Sequence, residues 1–377
     1  MRWIDTQADL REAAQRLTAS KTFYLDTEFD SGRGGTDLCI LQISDAATVY
    51  LIDALRLRDL TALSPALSAH DCVWVLHAGQ QDVDLITAGL RMEARPRVFD
   101  TQVAWALLSV EHSVSLAYLQ YQVLGIRGGK AYQADDWKRR PLPPAQLSYA
   151  ASDVEHLPAL HRELEQRLTQ LGREQIAFEA SAESIWPSAR EIRVKLTLES
   201  FRNAWQLDRA SQAGLQFLID WYNGLDDAQR SAAPEPKTLL AIASRLPESG
   251  ADLMRLKGVP RRFAGEQGDR LTGGLIRATA AAKSADFVEI EPPPYATVFE
   301  LRLDGWLSVA RAEVCTELGI APELALSARL LKALKTLLLE GKDLEAAFAE
   351  LGGFREKLLS AAFQRFASRL PAPKPEG

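Results

Sequence analysis

Three apolar runs lie close together near the start of the chain: TFYLDTEF (22–29), LCILQISD (38–45) and TVYLIDA (48–54). A parallel crossover needs a dozen or more residues, and neither gap offers that many. The runs are therefore expected to pair antiparallel, as the beginning of a sheet. Helical spacing follows from Leu57 to Leu67, then a strand-like run, CVWVLHA, then helix again from about Gly79. From RVFDTQVAWALLSV onward the apolar spacing is helical, and Pro144 to about Leu171 reads as one long helix. Strands first, then strands alternating with helices, predict an α/β domain with a mixed sheet.

Acids are set into that apolar frame. Asp26 and Glu28 alternate along the first run, so both side chains leave the strand on the same side. Carboxylates that close are costly unless protonated, paired or bound to a cation. Asp82 falls one turn into the helix that follows CVWVLHA, and Tyr149 and Asp153, in YAASDVEHL, are four apart on one helix face. Taken singly, Asp82 is an acid favoured near a helix N-terminus, and Tyr149 and Asp153 form an amphipathic rim. Together, four carboxylates from three elements suit a pair of hard divalent cations, Mg²⁺ or Mn²⁺, which prefer oxygen ligands.

In order and spacing, FYLDTEFD, LHAGQQDVDLI and YAASDVEHL resemble the three motifs of the DEDDy 3′→5′ exonucleases, and most closely the ribonuclease D family. The resemblance covers residues 1 to about 170 and takes in LCILQISD and ADDWKRRPLPPAQLSYAASDV. It implies a ribonuclease H-like exonuclease domain over 1–176. In that domain Asp26, Glu28 and Asp153 would ligate one metal. Asp26 would bridge to a second held by Asp82, and Tyr149 would orient the attacking water. It further implies stepwise hydrolysis from RNA 3′ ends, tRNA precursors among them, releasing nucleoside 5′-monophosphates. After Phe29 the family has a bulkier, often aromatic loop. Here the chain has DSGRGGTD, which reads as a flexible surface loop and sets 3′-end recognition apart.

Beyond this domain the chain reads as two small all-α regions, 203–283 and 296–370. The breaks before them are SAESIWPSAREIRVK and ADFVEIEPPPYAT, whose consecutive prolines cannot continue a helix. The region 203–283 is similar to the HRDC domain that follows the nuclease in the ribonuclease D family, and 296–370 resembles a more divergent copy of it. The tail PAPKPEG reads as disordered. The net charge of −6 argues against a nucleic-acid partner only until its distribution is considered. Residues 1–165 carry 16 Lys+Arg against 22 Asp+Glu, whereas the remainder balances at 28 against 28. Within 253–283 seven basic residues, Arg261 and Arg262 among them, face two acids, which makes this stretch a candidate RNA-contact patch. Lys138, Arg139 and Arg140 form another candidate.

Cys39, Cys72 and Cys315 are scattered, odd in number and without CxxC spacing, which suits buried thiols in a reducing cytoplasm. The charged N-terminus has no secretory apolar region and no run reaches the length of a membrane span, so no membrane partner is expected. His77 reads as a structural histidine, and His156 falls near the Asp153 face of its helix. Asp53 reads as a turn residue, and Trp205, Phe217 and Trp221 as core. No GxxxxGK[ST] occurs, which argues against an ATP-driven motor. Two rival functions stand beside the exoribonuclease. One is a DNA 3′→5′ exonuclease, because metals contact phosphate and not sugar. The other is a silent RNA-binding scaffold, against which the complete set of acids and the tyrosine stands.

Overall fold

The computed structural model describes the chain except residues 33–34, 128–134, 187–195, 202, 283–295, 370 and 372–377. The triple proline, Lys283, Gly34 and nearly all of the PAPKPEG tail lie outside the described residues.

Six strands form one mixed sheet: β1 (Arg2–Ile4), β2 (Thr22–Gly32), β3 (Gly35–Ser44), β4 (Val49–Asp53), β5 (Val73–Leu76) and β6 (Arg97–Asp100), in the order β1-β4-β3-β2-β5-β6. The pairs β2–β3 and β3–β4 are antiparallel, as the short connections require. Strands β1, β5 and β6 join in parallel. One face packs the helices Gln7–Leu17 and Gln80–Leu90 over Phe23, Leu25 and Trp74. On the other, Val103 of the helix Thr101–Ala106 and Leu160 of the helix Leu157–Gln170 share a core with Tyr24, Val75 and Phe99.

Several expectations need correction. The run RVFD is a strand, and the helix begins only at Thr101. Asp100 sets that boundary by accepting from the amides of Gln102 and Val103 at 2.8 and 3.3 Å. The three-residue β1 was hidden in a charged N-terminus. The stretch DSGRGGTD is no loose loop: β2 runs on to Gly32 and β3 starts at Gly35, so the acid-bearing strand continues as a hairpin arm. The long helix breaks at His156 into Pro144–Glu155 and Leu157–Gln170. Pro158 lacks an N–H, and its ring clashes with the carbonyl four residues back. Between Leu57 and Leu67 the chain makes only short turns, Ala54–Leu57, Thr61–Leu63 and Ser64–Leu67, interrupted by Arg58 at φ 55°.

The described residues divide into two compact units. Residues 189–297 form one, with the helices Arg209–Asn223, Pro236–Arg245 and Arg261–Ala281 closing over Leu215, Leu239, Ile242 and Leu271. Phe217 and Trp221 pack against this core. Trp205 does not: it is 38% exposed, because Ala204 takes the inward position of the short turn Ala204–Gln206.

The helices from Val298–Leu318 to Phe354–Gln364 have their own core, yet belong to the same unit as the sheet. Two buried arginines join them to it. Arg173 donates to the carbonyls of Leu107 at 2.6 Å and Leu318 at 2.7 Å. Arg355 donates to both carboxylate oxygens of Glu183, at 2.6 and 2.8 Å, and to the carbonyls of Ala325 and Leu324. Phe354 is buried among Leu157, Leu160 and Phe178 of the α/β domain. All three cysteines are buried free thiols. No helix among the described residues is long and apolar enough to cross a membrane.

Arg355→Met keeps most of the buried volume but leaves Glu183 and two carbonyls without their donor. We expect a loss of roughly 3 kcal/mol, the low end of the range for removing one partner of a buried pair, because the Glu183 side chain is 36% exposed. A urea-unfolding midpoint equal to the parent's would contradict the clamp.

Candidate active site

Strand β2 presents Asp26 and Glu28 from one face, just before a bulge between Glu28 and Phe29. The helix Pro144–Glu155 packs against β2, β3 and β4 and brings Asp153 to the same place. One oxygen from each of Asp26, Glu28 and Asp153 lies within 4.8 Å of the others. One turn before Asp153, Tyr149 lies on the same helix face, close enough for its hydroxyl to interact with the Asp153 carboxylate. The ring of buried Trp137 lies 6.3 Å from that of Tyr149.

Asp82 stands beside this trio, not within it. It sits in the first turn of the helix Gln80–Leu90 and accepts from the Thr27 hydroxyl at 2.5 Å. Thr27 lies between Asp26 and Glu28 and alternates to the opposite face of the strand. The charge of Asp82 still reaches Asp26. Burial pushes the Asp26 carboxyl well up, and then Asp82, Asp153 and Glu28 add to it. Burial likewise raises Glu28 to about 9, with Asp153 and Asp82 contributing. Asp153 rises to about 7 by burial, opposed by the Tyr149 hydroxyl. Asp82 is also raised by burial, opposed by Thr27. Tyr149 is pushed up by burial and by the acids around it. Among the described residues, every charged neighbour named as shifting the four carboxyls is itself an acid. Oxygen donors gathered in this way are a donor set that fits Mg²⁺ or Mn²⁺.

Four supporting residues escaped the sequence reading. Thr27 holds Asp82, and Gln42 donates to Asp26 at 3.3 Å. Asp100 accepts from the amides of Ala78 and Gly79 at 3.1 and 3.0 Å and so fixes the turn that launches the Asp82 helix. Ala78 has φ 53° there, and a Cβ on Gly79 would come 2.6 Å from that of Leu76. Only polarity within an apolar run, as at Gln42 in LCILQISD, could have marked such residues.

Arg140, the fourth, reads in the sequence as a candidate RNA contact, and it was its supporting role that escaped. Its Nε and Nη2 bind both oxygens of Asp53 at 2.7 Å, and its remaining donors reach the carbonyls of Trp137, Arg139 and Cys39. All five N–H donors are thereby engaged within the protein. Lys138 is likewise paired, with Asp30 at 3.0 Å and Asp37 at 2.8 Å, while Arg139 is exposed. Asp53 also caps the turn Ala54–Leu57, so it is structural. His77 uses both ring nitrogens, on the Thr101 hydroxyl and the Val114 carbonyl, each at 2.9 Å. His156 lies at the helix break. In the separate unit, Arg261 and Arg262 are exposed at the start of the helix Arg261–Ala281, and Arg262 pairs with Glu266 at 2.8 Å.

Comparison with known proteins bears on this site. Residues 1–169 match a family model described as a 3′–5′ exonuclease. A ribonuclease D of Pseudomonas paraeruginosa is 30% identical over 342 residues, 89% of each chain. The chain belongs to the ribonuclease D family. A ribonuclease D of Gluconacetobacter diazotrophicus is 28% identical over 351 residues, 86% of this chain and 83% of that one. The crystal structure of Escherichia coli ribonuclease D superposes with a TM-score of 0.71 at 23% identity, over 98% of this chain and 99% of that one, which shows the shared fold.

The raised carboxyls carry a pH signature. A carboxyl whose folded value lies above its unfolded one favours folding in its protonated form, and that contribution is lost as pH rises through the folded value. For Asp153 the window runs from its ordinary 3.8 to about 7, and for Glu28 from 4.5 to about 9. The metal-free protein should therefore melt at progressively lower temperature as pH rises from 5 to 9. Mn²⁺ should restore more stability at pH 8 than at pH 6, since it displaces protons. A metal-free melting temperature that rises over this range would contradict the geometry.

Proposed function

We propose that this ribonuclease D family member is a 3′→5′ exoribonuclease of the cytoplasm that trims RNA 3′ ends, tRNA precursors among them, one nucleotide at a time. The observation that carries this reading is the convergence of Asp26, Glu28 and Asp153 within 4.8 Å, with Tyr149 beside them on the helix that carries Asp153. Asp26, Glu28 and Asp153 would hold one divalent cation. Asp26 would share another, held through water by Asp82 behind Thr27. Bound there, the cations supply Lewis-acid activation of water and neutralise charge on the scissile phosphate and its leaving oxygen.

The chain's own residues position the reactants. Tyr149 keeps its hydroxyl protonated, because burial and the adjacent acids disfavour the phenolate. A neutral phenol can donate to one partner and accept from another, which suits it to orienting a water against the phosphate. The helix Pro144–Glu155 carries both Tyr149 and Asp153, so ligand and orienting group move as one body. Within the separate unit, a groove of about 1040 Å³ is lined by Phe217, Trp221 and Phe263, and its arginines Arg262, Arg270 and Arg277 are matched by Asp220, Asp226 and Glu266. We read this unit as an HRDC-type domain that meets the RNA backbone through the basic residues of 253–282, Arg261 among them, and the helices after 298 as a further, divergent copy.

The test is a time course on matched 3′- and 5′-labelled RNA and DNA with Mn²⁺, Mg²⁺ or chelator. We expect mononucleotide release from RNA 3′ ends only with metal, and none from Asp26→Asn. Internal cuts, or equal rates with chelator, would refute the assignment. Tyr149→Phe retains the ring but not the hydroxyl, and should lower kcat by roughly 10²–10⁴, the range for positioned groups of this kind. Its Mn²⁺ affinity should stay unchanged. A parent-like kcat would reduce Tyr149 to a packing residue.

A further inference from the structure

Strand β3 is apolar and buried from Cys39 to Ile43 except at one position, Gln42, which has no exposed surface at all. Its register places it directly opposite Asp26 on β2 and Leu51 on β4. The three side chains therefore share the sheet face over which the helix Pro144–Glu155 lies. Around it on that side are Ile40, Leu51, Ala150 and Ala151. The amide nitrogen of Gln42 donates to Oδ2 of Asp26 at 3.3 Å, while its Oε1 is buried with no hydrogen-bond partner among the described residues. A buried acceptor without a donor opposes folding. An apolar residue of the same length would fill this site at less cost to stability, so folding alone does not account for an amide here.

The donor end points to another role. We infer that Gln42 is a positioning residue for Asp26: its amide N–H holds one oxygen of that carboxylate and so fixes the orientation in which Asp26 meets metal. The inference rests on the reading of Asp26, Glu28 and Asp153 as a metal site. Each carboxylate oxygen offers two acceptor directions, so Oδ2 can keep the N–H and still face a cation. An amide suits this work better than a lysine or arginine would. It donates without bringing a positive charge that would compete with the cation for the same acids. Outer hydrogen-bond partners of this kind typically change metal affinity by about 10–100-fold when removed.

The test uses full-length protein without RNA, with Mn²⁺ binding followed by electron paramagnetic resonance and metal-free stability by thermal melting. Gln42→Met keeps the length and removes the donor. We expect its Mn²⁺ affinity to fall by about tenfold or more, with a metal-free melting temperature equal to or above the parent's. On RNA its kcat should fall while KM stays. Gln42→Leu, also without a donor, must show the same weakening if Gln42→Met folds poorly. Asp26→Asn separates the metal site from the role of Gln42. Parent-like Mn²⁺ binding in Asp26→Asn would overturn the metal site itself. Loss of binding in Asp26→Asn with parent-like affinity in both Gln42 variants would overturn the role of Gln42 alone. A melting temperature that drops with Mn²⁺ affinity unchanged would make Gln42 a core residue and likewise overturn it.

Discussion

Mutual repulsion among buried and half-buried carboxylates is the constraint on which the rest of this structure depends. Asp26, Glu28 and Asp153 crowd within 4.8 Å, Asp82 adds its charge from behind Thr27, and the charged neighbours that shift them are, among the described residues, all acids. Left to themselves such groups separate or take up protons. They are held by parts whose own stability lies elsewhere. A strand rooted in a mixed sheet supplies two acids, and a helix crossing that sheet supplies the third with its tyrosine. The turn before Asp82 is tied down by Asp100.

The ties that keep this arrangement are mostly neutral or remote. Thr27 and Gln42 contribute hydroxyl and amide donors, which restrain the carboxylates without neutralising them. The strong cation closest in sequence to the site helix, Arg140, is turned away onto Asp53 and three carbonyls, where it anchors the segment leading into Pro144–Glu155. Lys138 similarly offsets Asp30 and Asp37, two like charges that face each other across the β2–β3 arm. Among the described residues, positive charge is thus used around the site, which leaves the acids available to a hard cation.

Much of this was legible in the sequence because it depends on local periodicity. Alternation placed Asp26 and Glu28 on one face, four-residue spacing placed Tyr149 with Asp153, and short gaps dictated the antiparallel start of the sheet. What could not be read was set by tertiary contact. RVFD carries a helix-compatible pattern but is drawn into the sheet beside β5, where Val98 and Phe99 are buried. The acidic hairpin arm resembled a glycine loop because its pairing partner is the other half of the same stretch. Arg140 passed for a free cation because Asp53 lies far from it along the chain. The site acids were visible as acids; the donors that aim them were not, since a glutamine or threonine in a strand has no signature until its partner is known.

The most direct measurement is the proton count on metal binding, from Mn²⁺ calorimetry at pH 7 in buffers of different ionisation enthalpy. With Glu28 raised to about 9 and Asp153 to about 7, both partly or wholly protonated before metal enters, the account predicts saturable binding with release of more than one proton per chain. Saturable binding with no proton release, or no saturable binding at all, would contradict it.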